Sequence, residues 1–192
     1  SQEFSPELWN PVTGEIRYLP DFKSKKGYIS LPVELERNES AFIVFRKTNK
    51  VTEKKDNFPQ KAIVYKIDTP WKITFEAGKH GPKTPVVWSQ LKDWMNSEND
   101  SIKYFSGQAV YETTFTLEKL PQKSLYIDLS NVMVMAKVTL NGQYVGGVWT
   151  FPYRLNVTEY LKKGDNTLEV TVVNNWQNRL IGDQHLPEDQ RM

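Results

Sequence analysis

The stretch VMAKVTLNGQYVGGVWTFPYRLNVTEYLKKGDNTLEVTVVNNW, from Val134 to Trp176, decides the fold of this chain. Its first residues alternate, with Val134, Ala136, Val138 and Leu140 on one face, and this period of two predicts a strand buried on one side. Asn141-Gly142 follows at once, and this pair favours a type I′ hairpin turn, which needs positive φ at both central residues. The sequence therefore predicts that Val134–Leu140 and Gln143–Trp149 are antiparallel neighbours.

The rest of the stretch predicts a bulge, a second turn and a further strand. Gly146-Gly147 permits a β-bulge or a close backbone approach before Trp149. Lys163-Gly164-Asp165-Asn166 has the composition of a turn. Alternation then resumes at Leu168, Val170 and Val172.

Several motifs lie along the stretch in a fixed order: Ala136-x-Val138-x-Leu140-Asn141-Gly142, Gly146, Trp149, Pro152-Tyr153, Val157-Thr158, Leu161, Gly164-x-Asn166-x-Leu168-x-Val170 and Asn174. Together they resemble the sugar-binding domain of family 2 glycoside hydrolases, a jelly roll of the galactose-binding-like type. The motif Asn174-x-Trp176-x-Asn178-Arg179-Leu180-Ile181-Gly182-Asp183 narrows the likeness. It is similar to the C-terminal module of bacterial glycoside hydrolases of the family 106 α-L-rhamnosidase kind.

The resemblance covers Trp71 to Asp183 well and Leu8 to Arg46 more loosely. It implies an accessory module whose partner is the catalytic barrel domain of the same parent protein, because the family places its catalytic acids in that barrel. It also implies a bacterial parent protein that is periplasmic or secreted. The start at Ser1 and the end at Arg191-Met192 predict a fragment excised from that protein.

Composition and charge limit the classes of function. The 192 residues are 39% hydrophobic and 12% aromatic, which is enough to build a core, and helical periodicity is absent, which favours an all-β fold. The net charge is only +2, without a basic patch, so neither a nucleic-acid partner nor a membrane partner is expected. The chain has no cysteine, which excludes disulfides and thiolate chemistry.

The predicted fold is an all-β jelly-roll sandwich of galactose-binding-like type, preceded by a few strands from the tail of another β-sandwich. The predicted domains are residues 1–48, a truncated sandwich; 49–65, a polar linker; and 66–192, the jelly roll. Within the first of these, Ala41–Phe45 is apolar on both faces, so both faces are expected to be buried. Leu91–Met95 is predicted as a short helical turn and Asn96–Ser101 as a loop.

Catalytic carboxylates and metal ligands are not predicted in this chain. Glycoside hydrolysis needs two carboxylates across the scissile bond, and the candidates Asp93, Glu112, Asp128 and Asp183 are scattered over strands and turns. His80 and His185 have no partner at ligand spacing. No cofactor is expected, although a structural calcium of the kind that galactose-binding-like domains often hold can use Asp68, Asp128 or Asn131.

Aromatic side chains are the main binding candidates, because their flat faces suit the C–H surface of a sugar. Trp149 and Tyr153 rank first, followed by Trp176, Trp94 and Tyr104, with the guanidinium of Arg179 as a donor. A sandwich of this size also needs large core residues, so each ring has a structural alternative. Arg179 and Asp183 can equally pair with each other or with the rest of the enzyme.

Two functions remain open on the sequence, with a self-sufficient hydrolase carried as a control. The favoured one is a non-catalytic accessory module that packs on a catalytic barrel and contacts its substrate cleft. The alternative is an autonomous carbohydrate-binding module with an exposed aromatic platform. Exposed coplanar rings on one face favour the binding module, whereas buried rings favour the accessory module.

Overall fold

The computed structural model describes residues 4–47 and 55–191. Strands dominate it, and all their pairings are antiparallel. The chain divides into two compact units, Ser1–Val64 and Tyr65–Met192. The predicted all-β sandwich class is confirmed. The predicted domain limits stay a prediction, and residues 49–54 of the predicted linker lie outside the described part of the chain.

Within residues 4–47 and 55–64, the first unit holds five short strands: β1 Phe4–Trp9, β2 Ile16–Tyr18, β3 Lys23–Lys25, β4 Tyr28–Ser30 and β5 Phe42–Lys47. Strands β2, β1 and β5 form one sheet in that order, and β3 and β4 form a hairpin. Asn57 belongs to this unit, although the sequence placed it in the linker. Its side chain is buried, accepting a hydrogen bond from the backbone N–H of Asp21 over 2.9 Å and donating one to the Asp21 carbonyl over 2.8 Å.

The prediction that Ala41–Phe45 is buried on both faces is wrong. Phe42 and Phe45 are both exposed. The reason is the size of the sheet, since three strands cannot enclose a core on two sides. Within residues 4–47 and 55–191, β5 pairs with β1 alone.

The second unit contains eight strands: β6 Trp71–Phe75, β7 Val86–Trp88, β8 Gln108–Leu117, β9 Tyr126–Asp128, β10 Met135–Leu140, β11 Gln143–Val148, β12 Arg154–Asn156 and β13 Gly164–Val173. Six of them form a sheet in the order β11-β10-β13-β8-β6-β7, and β9 pairs with β12. One face of the large sheet carries the core, in which Ile73, Ala109, Val138 and Leu168 are fully buried. Ile127 of β9 and Leu155 of β12 pack against this core, which makes the unit a sandwich.

The predicted hairpin is confirmed. Leu140 of β10 faces Gln143 of β11, and Asn141 and Gly142 have φ of 53° and 79°. The predicted bulge is also present, because the register shifts where Val138 faces Gly146 and Thr139 faces Tyr144. A Cβ on Gly146 would lie 3.0 Å from Leu155 Cδ2, so this glycine lets β12 approach closely.

The short helices lie at positions that differ from those predicted from the sequence. The predicted turn at Leu91–Met95 is a 3₁₀ turn at Trp94–Asn96, and the predicted loop Asn96–Ser101 runs into a helix, α1, at Asp100–Lys103. A further helix, α2 at Gln177–Asp183, had no prediction, and a second 3₁₀ turn follows at Glu188–Gln190. Helices this short show no apolar period, so only their caps could reveal them. No helix in the described ranges is long and apolar enough to cross a membrane.

Candidate functional site

A groove of about 290 Å³ lies on the outer face of the large sheet, opposite the core. Two rows of paired residues cross its floor. In one row Gln108, Val173 and Met135 face one another on β8, β13 and β10. In the other, Thr171 of β13 faces Lys137 of β10, which faces Gly147 of β11. All six side-chain positions point away from the core because their neighbours in each strand fill it.

Aromatic side chains form the groove's walls. Tyr144 of β11 and Trp149, just after that strand, both line it and are 62% and 60% exposed. Gly147 also lines the groove, and a Cβ there would be in ordinary van der Waals contact with Tyr144 Oη, at 3.6 Å. Trp149 therefore lies in a groove, as a binding residue would. Tyr144 is not among the binding residues predicted from the sequence, where it is only part of a strand. The feature that could have identified it is its position just before the Gly146-Gly147 bulge.

Tyr153, ranked beside Trp149 on the sequence, lies elsewhere. Its ring is half-buried against the core and meets the ring of Phe151 edge-on, with centroids 6.1 Å apart. Its carbonyl accepts a hydrogen bond from the backbone N–H of Leu129 over 3.0 Å. The structure does not bring Tyr153 into the groove.

Trp94 is a core residue. It packs against Phe75 and Phe105, and its indole Nε1–H donates to Tyr111 Oη over 2.6 Å. Burial raises the pKa of the Tyr111 phenol to about 12; the negative charge of Asp93 adds to the rise and the Trp94 hydrogen bond opposes it. The indole of Trp94 offers no free face to a sugar.

Arg179 and Asp183 lie on one side of α2 and are both buried. Arg179 Nη2 lies 2.6 Å from Asp183 Oδ1, so the alternative in which these residues pair with each other is confirmed. The backbone N–H of Arg179 donates to Ser106 Oγ over 3.0 Å. Gly182 packs so closely on Tyr104 that an added Cβ would come within 2.6 Å of the Tyr104 Cβ. These contacts fix α2 against the segment 104–106.

Asn174 strengthens this anchor from the end of β13. Its side-chain oxygen accepts from the Gly107 N–H over 2.9 Å, and its amide donates to the Phe105 carbonyl over 2.8 Å. Because both ends of this side-chain amide are used, the chain leaves β13 in a defined direction. The residues of the Asn174-to-Asp183 motif therefore hold α2 in place against the segment 104–107.

Beside this buried pair, α2 and the residue before it also carry exposed apolar side chains. Trp176, which precedes the helix, is 62% exposed, and Leu180, one turn later, is 59% exposed. Ile181 beside them is also exposed. We call these three residues the α2 apolar face. Trp176 and Trp149, the two exposed indoles predicted as binding residues, thus lie on different features.

Each candidate carboxylate has its own local contact. Glu112 binds Lys72 over 3.0 Å, Asp128 binds Arg154 over 2.7 Å, and Asp183 binds Arg179. Asp93 accepts from the Met95 N–H at the start of the 3₁₀ turn. Among the described residues no three His, Asp or Glu side chains cluster as metal ligands. The calcium expectation stays a prediction.

The comparisons with known proteins agree with this architecture. The family model for the glycosyl hydrolase 2 galactose-binding domain-like family matches residues 88–190. A Formosa agariphila protein named "Putative beta-glucuronidase" is 51% identical over 107 residues, which are 54% of this chain and 9% of that protein. The solved rhamnosidase of Novosphingobium sp. PP1Y matches all of this chain at 32% identity and a TM-score of 0.85.

A beta-glucuronidase from an uncultured Clostridium sp. matches 61% of the chain and 24% of its own length, at 19% identity and a TM-score of 0.50, and shows the fold alone. The chain spans 18% of the rhamnosidase and 9% of the Formosa protein, so it corresponds to a small part of each. The family model covers more than half of the chain and includes the groove, the hairpin and α2. The chain belongs to the glycosyl hydrolase 2 galactose-binding domain-like family.

Proposed function

We propose that this chain is a non-catalytic accessory module of a multidomain glycoside hydrolase and that it packs on the catalytic domain through the α2 apolar face. The observation that carries the proposal is the exposure of Trp176 and Leu180 at a short helix that a buried ion pair holds in place. A rigid helix that shows a large indole and an aliphatic side chain to water is typical of an interaction surface.

The energetics favour such a contact. Covering a side chain of this size stabilises by roughly 1.5–3 kcal/mol. The helix is held by Arg179, Gly182 and Asn174, so little conformational entropy is lost when a partner binds. The α2 apolar face is thus suited to hold two parts of one protein together.

The comparisons support a catalytic domain as the partner. A structure similar over the whole chain is 18% of a rhamnosidase, and a 51% identical stretch is 9% of a longer relative. In both proteins most of the polypeptide lies outside the matched part. Hydrolysis requires two carboxylates held across one glycosidic bond, and the four candidates here are engaged in separate contacts. The catalytic pair is therefore proposed to lie in another domain.

The test compares the full-length parent protein with its Trp176→Ser/Leu180→Ser variant. We expect the variant to release this module to limited proteolysis and to unfold in two transitions rather than one. The isolated 192-residue chain with the same changes should keep its stability, because both side chains are exposed in it. Val87→Ser/Tyr126→Ser is the matched control, since these residues are equally exposed but lie on β7 and β9. A full-length variant that behaves as wild type would refute the docking role.

A second role, contact with carbohydrate, is favoured by one separate observation. The exposed rings of Tyr144 and Trp149 line the same groove. This groove is distinct from the α2 apolar face, so one module can dock and bind at once.

A further inference from the structure

We infer that the groove between Tyr144 and Trp149 binds an acidic saccharide, with a uronate ring against the aromatic walls and its carboxylate on Lys137. This inference rests on the carbohydrate contact proposed for the same groove and names its ligand class, and it uses residues other than those of the docking role. The ligand class follows from the kinds of groups that line the groove.

The walls are suited to a sugar ring. Tyr144 and Trp149 present flat apolar faces to solvent at positions where neither helps to fill the core. Such faces bind the C–H surface of a pyranose, and their polar edges accept or donate hydrogen bonds to its hydroxyls. Gly147 lines the same groove without a side chain. A groove of about 290 Å³ is near the lower end of small-molecule sites, roughly 300 Å³ and above, and fits one or two sugar units.

The floor supplies polar groups. Thr171 is buried there, and the side-chain amide of Gln108 lies at the other row. A hydroxyl and an amide can both donate and accept hydrogen bonds, which suits the vicinal hydroxyls of a sugar. Apart from Thr171, Gln108 and Lys137, the lining is apolar or aromatic, as is usual for a small-molecule site with a few polar groups that set orientation.

The ammonium group of Lys137 favours a ligand with a negative charge. Among the groove residues that the structure describes, Lys137 alone is charged. On the same sheet face Lys72 binds Glu112, and Glu112 faces Glu169 across the β8–β13 ladder, but neither glutamate lines the groove. Within the described ranges Lys137 makes no salt bridge of its own. An ammonium beside two exposed rings is matched by a ligand that carries a carboxylate on a sugar, and charge-assisted hydrogen bonds are the stronger kind.

The experiment uses the 192-residue chain and two pairs of trisaccharides. Each pair is a uronate trimer, of glucuronate or of galacturonate, and its carboxyl-reduced neutral counterpart. Binding is followed by tryptophan fluorescence and by calorimetry. We expect at least one uronate trimer to bind with a Kd of about 1 mM or below, and its neutral counterpart to bind roughly tenfold more weakly. The inference is overturned if neither uronate binds up to roughly 10 mM, or if the neutral trimer binds as well.

Variants locate the site. Lys137→Gln should abolish the preference for the uronate, so that the uronate trimer binds the variant no more tightly than the neutral trimer does. Tyr144→Ala and Trp149→Ala should each lower affinity roughly tenfold, and since both rings are exposed, the folding of these variants should match wild type by unfolding. Tyr126→Ala, Trp176→Ala and Lys163→Gln are matched controls at exposed positions away from the groove. Equal losses in the controls would overturn the assignment. The docking test, which uses α2 in the full-length protein, is unaffected by either result.

Discussion

The side-chain amide of Asn141 donates a hydrogen bond to the side-chain oxygen of Asn166 over 2.9 Å, which joins the β10–β11 turn to the start of β13, 25 residues further along the chain. The same amide of Asn141 donates to the Tyr160 carbonyl, and its oxygen accepts from the Thr167 N–H. Asn166, fully buried, donates to the carbonyls of Lys162 and Gly164. The residue that permits the β10–β11 turn therefore also ties that hairpin to the start of β13.

Replacing Asn166 with Ala should lower the free energy of unfolding by about 2–3 kcal/mol. The change removes the four hydrogen bonds of a fully buried side-chain amide and leaves its partners in Asn141, Lys162 and Gly164 without it, which is costly. Urea denaturation of the 192-residue chain measures it. Asn131→Ala, at an exposed position, is the control and should change stability by less than about 0.5 kcal/mol. Equal midpoints for the two variants would contradict the buried network.

Replacing Gly142 with Val should destabilise the chain by about 1 kcal/mol or more, because a β-branched residue resists a φ of 79°. Gly142→Asn is the control at the same position, since asparagine tolerates this conformation. Space is not the issue, as nothing lies within 4 Å of an added Cβ. Comparing the thermal unfolding of the Val and Asn variants separates the cost of the positive φ from the cost of adding a side chain at this position. A Val variant as stable as the Asn variant would rule out the type I′ turn.

Replacing Gly182 with Ala should destabilise the chain by about 1–2 kcal/mol even though Ala is the better helix former by about 1 kcal/mol. The added methyl would come within 2.6 Å of the Tyr104 Cβ, so α2 would have to move away from Tyr104. The control is Gln177→Ala, in the same helix but exposed, which should be neutral or slightly stabilising. Guanidinium unfolding provides the comparison. A gain in stability for Gly182→Ala would show that α2 does not rest on Tyr104.

Stability should fall between about pH 10 and pH 12 because of Tyr111. Burial raises its pKa from 10.0 to about 12, so in this window the unfolded chain loses the phenol proton while the folded chain keeps it. The unfolded state then binds fewer protons, and stability decreases as pH rises, by at most about 1.4 kcal/mol per pH unit. Unfolding from pH 9 to pH 12 should show a steeper fall for wild type than for Tyr111→Phe. Parallel curves would mean that the phenol is not protected by burial.

The chain by itself should not hydrolyse glycosides. Glu112, Asp128 and Asp183 each form an ion pair with a different Lys or Arg side chain. Hydrolysis instead needs two carboxylates held on either side of one glycosidic bond. The purified chain is assayed with aryl α-L-rhamnosides and a panel of other aryl glycosides, and no turnover is expected. Glu112→Gln and Asp183→Asn are the deciding variants. Turnover that disappears in either would make the chain a self-sufficient hydrolase and end the accessory-module proposal.

Exposure of the aromatic residues could not be predicted from the sequence. Trp94 and Trp176 both follow polar residues in regions without a strand pattern, yet the first is buried in the core and the second is exposed on α2. The difference comes from packing, since Trp94 meets Phe75 and Phe105 from distant parts of the chain. Whether an aromatic ring is buried depends on which strands and helices pack against it. The residues next to it in the sequence do not determine that packing.

The sequence by itself determined the strands β10, β11 and β13 and the β10–β11 hairpin, whereas the short strands β7 and β12 had no prediction. Alternation is a property of neighbouring residues, and the Asn141-Gly142 turn depends on two backbone angles, so both are local. Only the tertiary structure decided that Asn141 would hold Asn166, that Tyr144 and Trp149 would share a groove, and that α2 would form on Tyr104. Each of these requires residues from separate strands to meet, and their positions are set by the pairing register and the packing of the whole sheet.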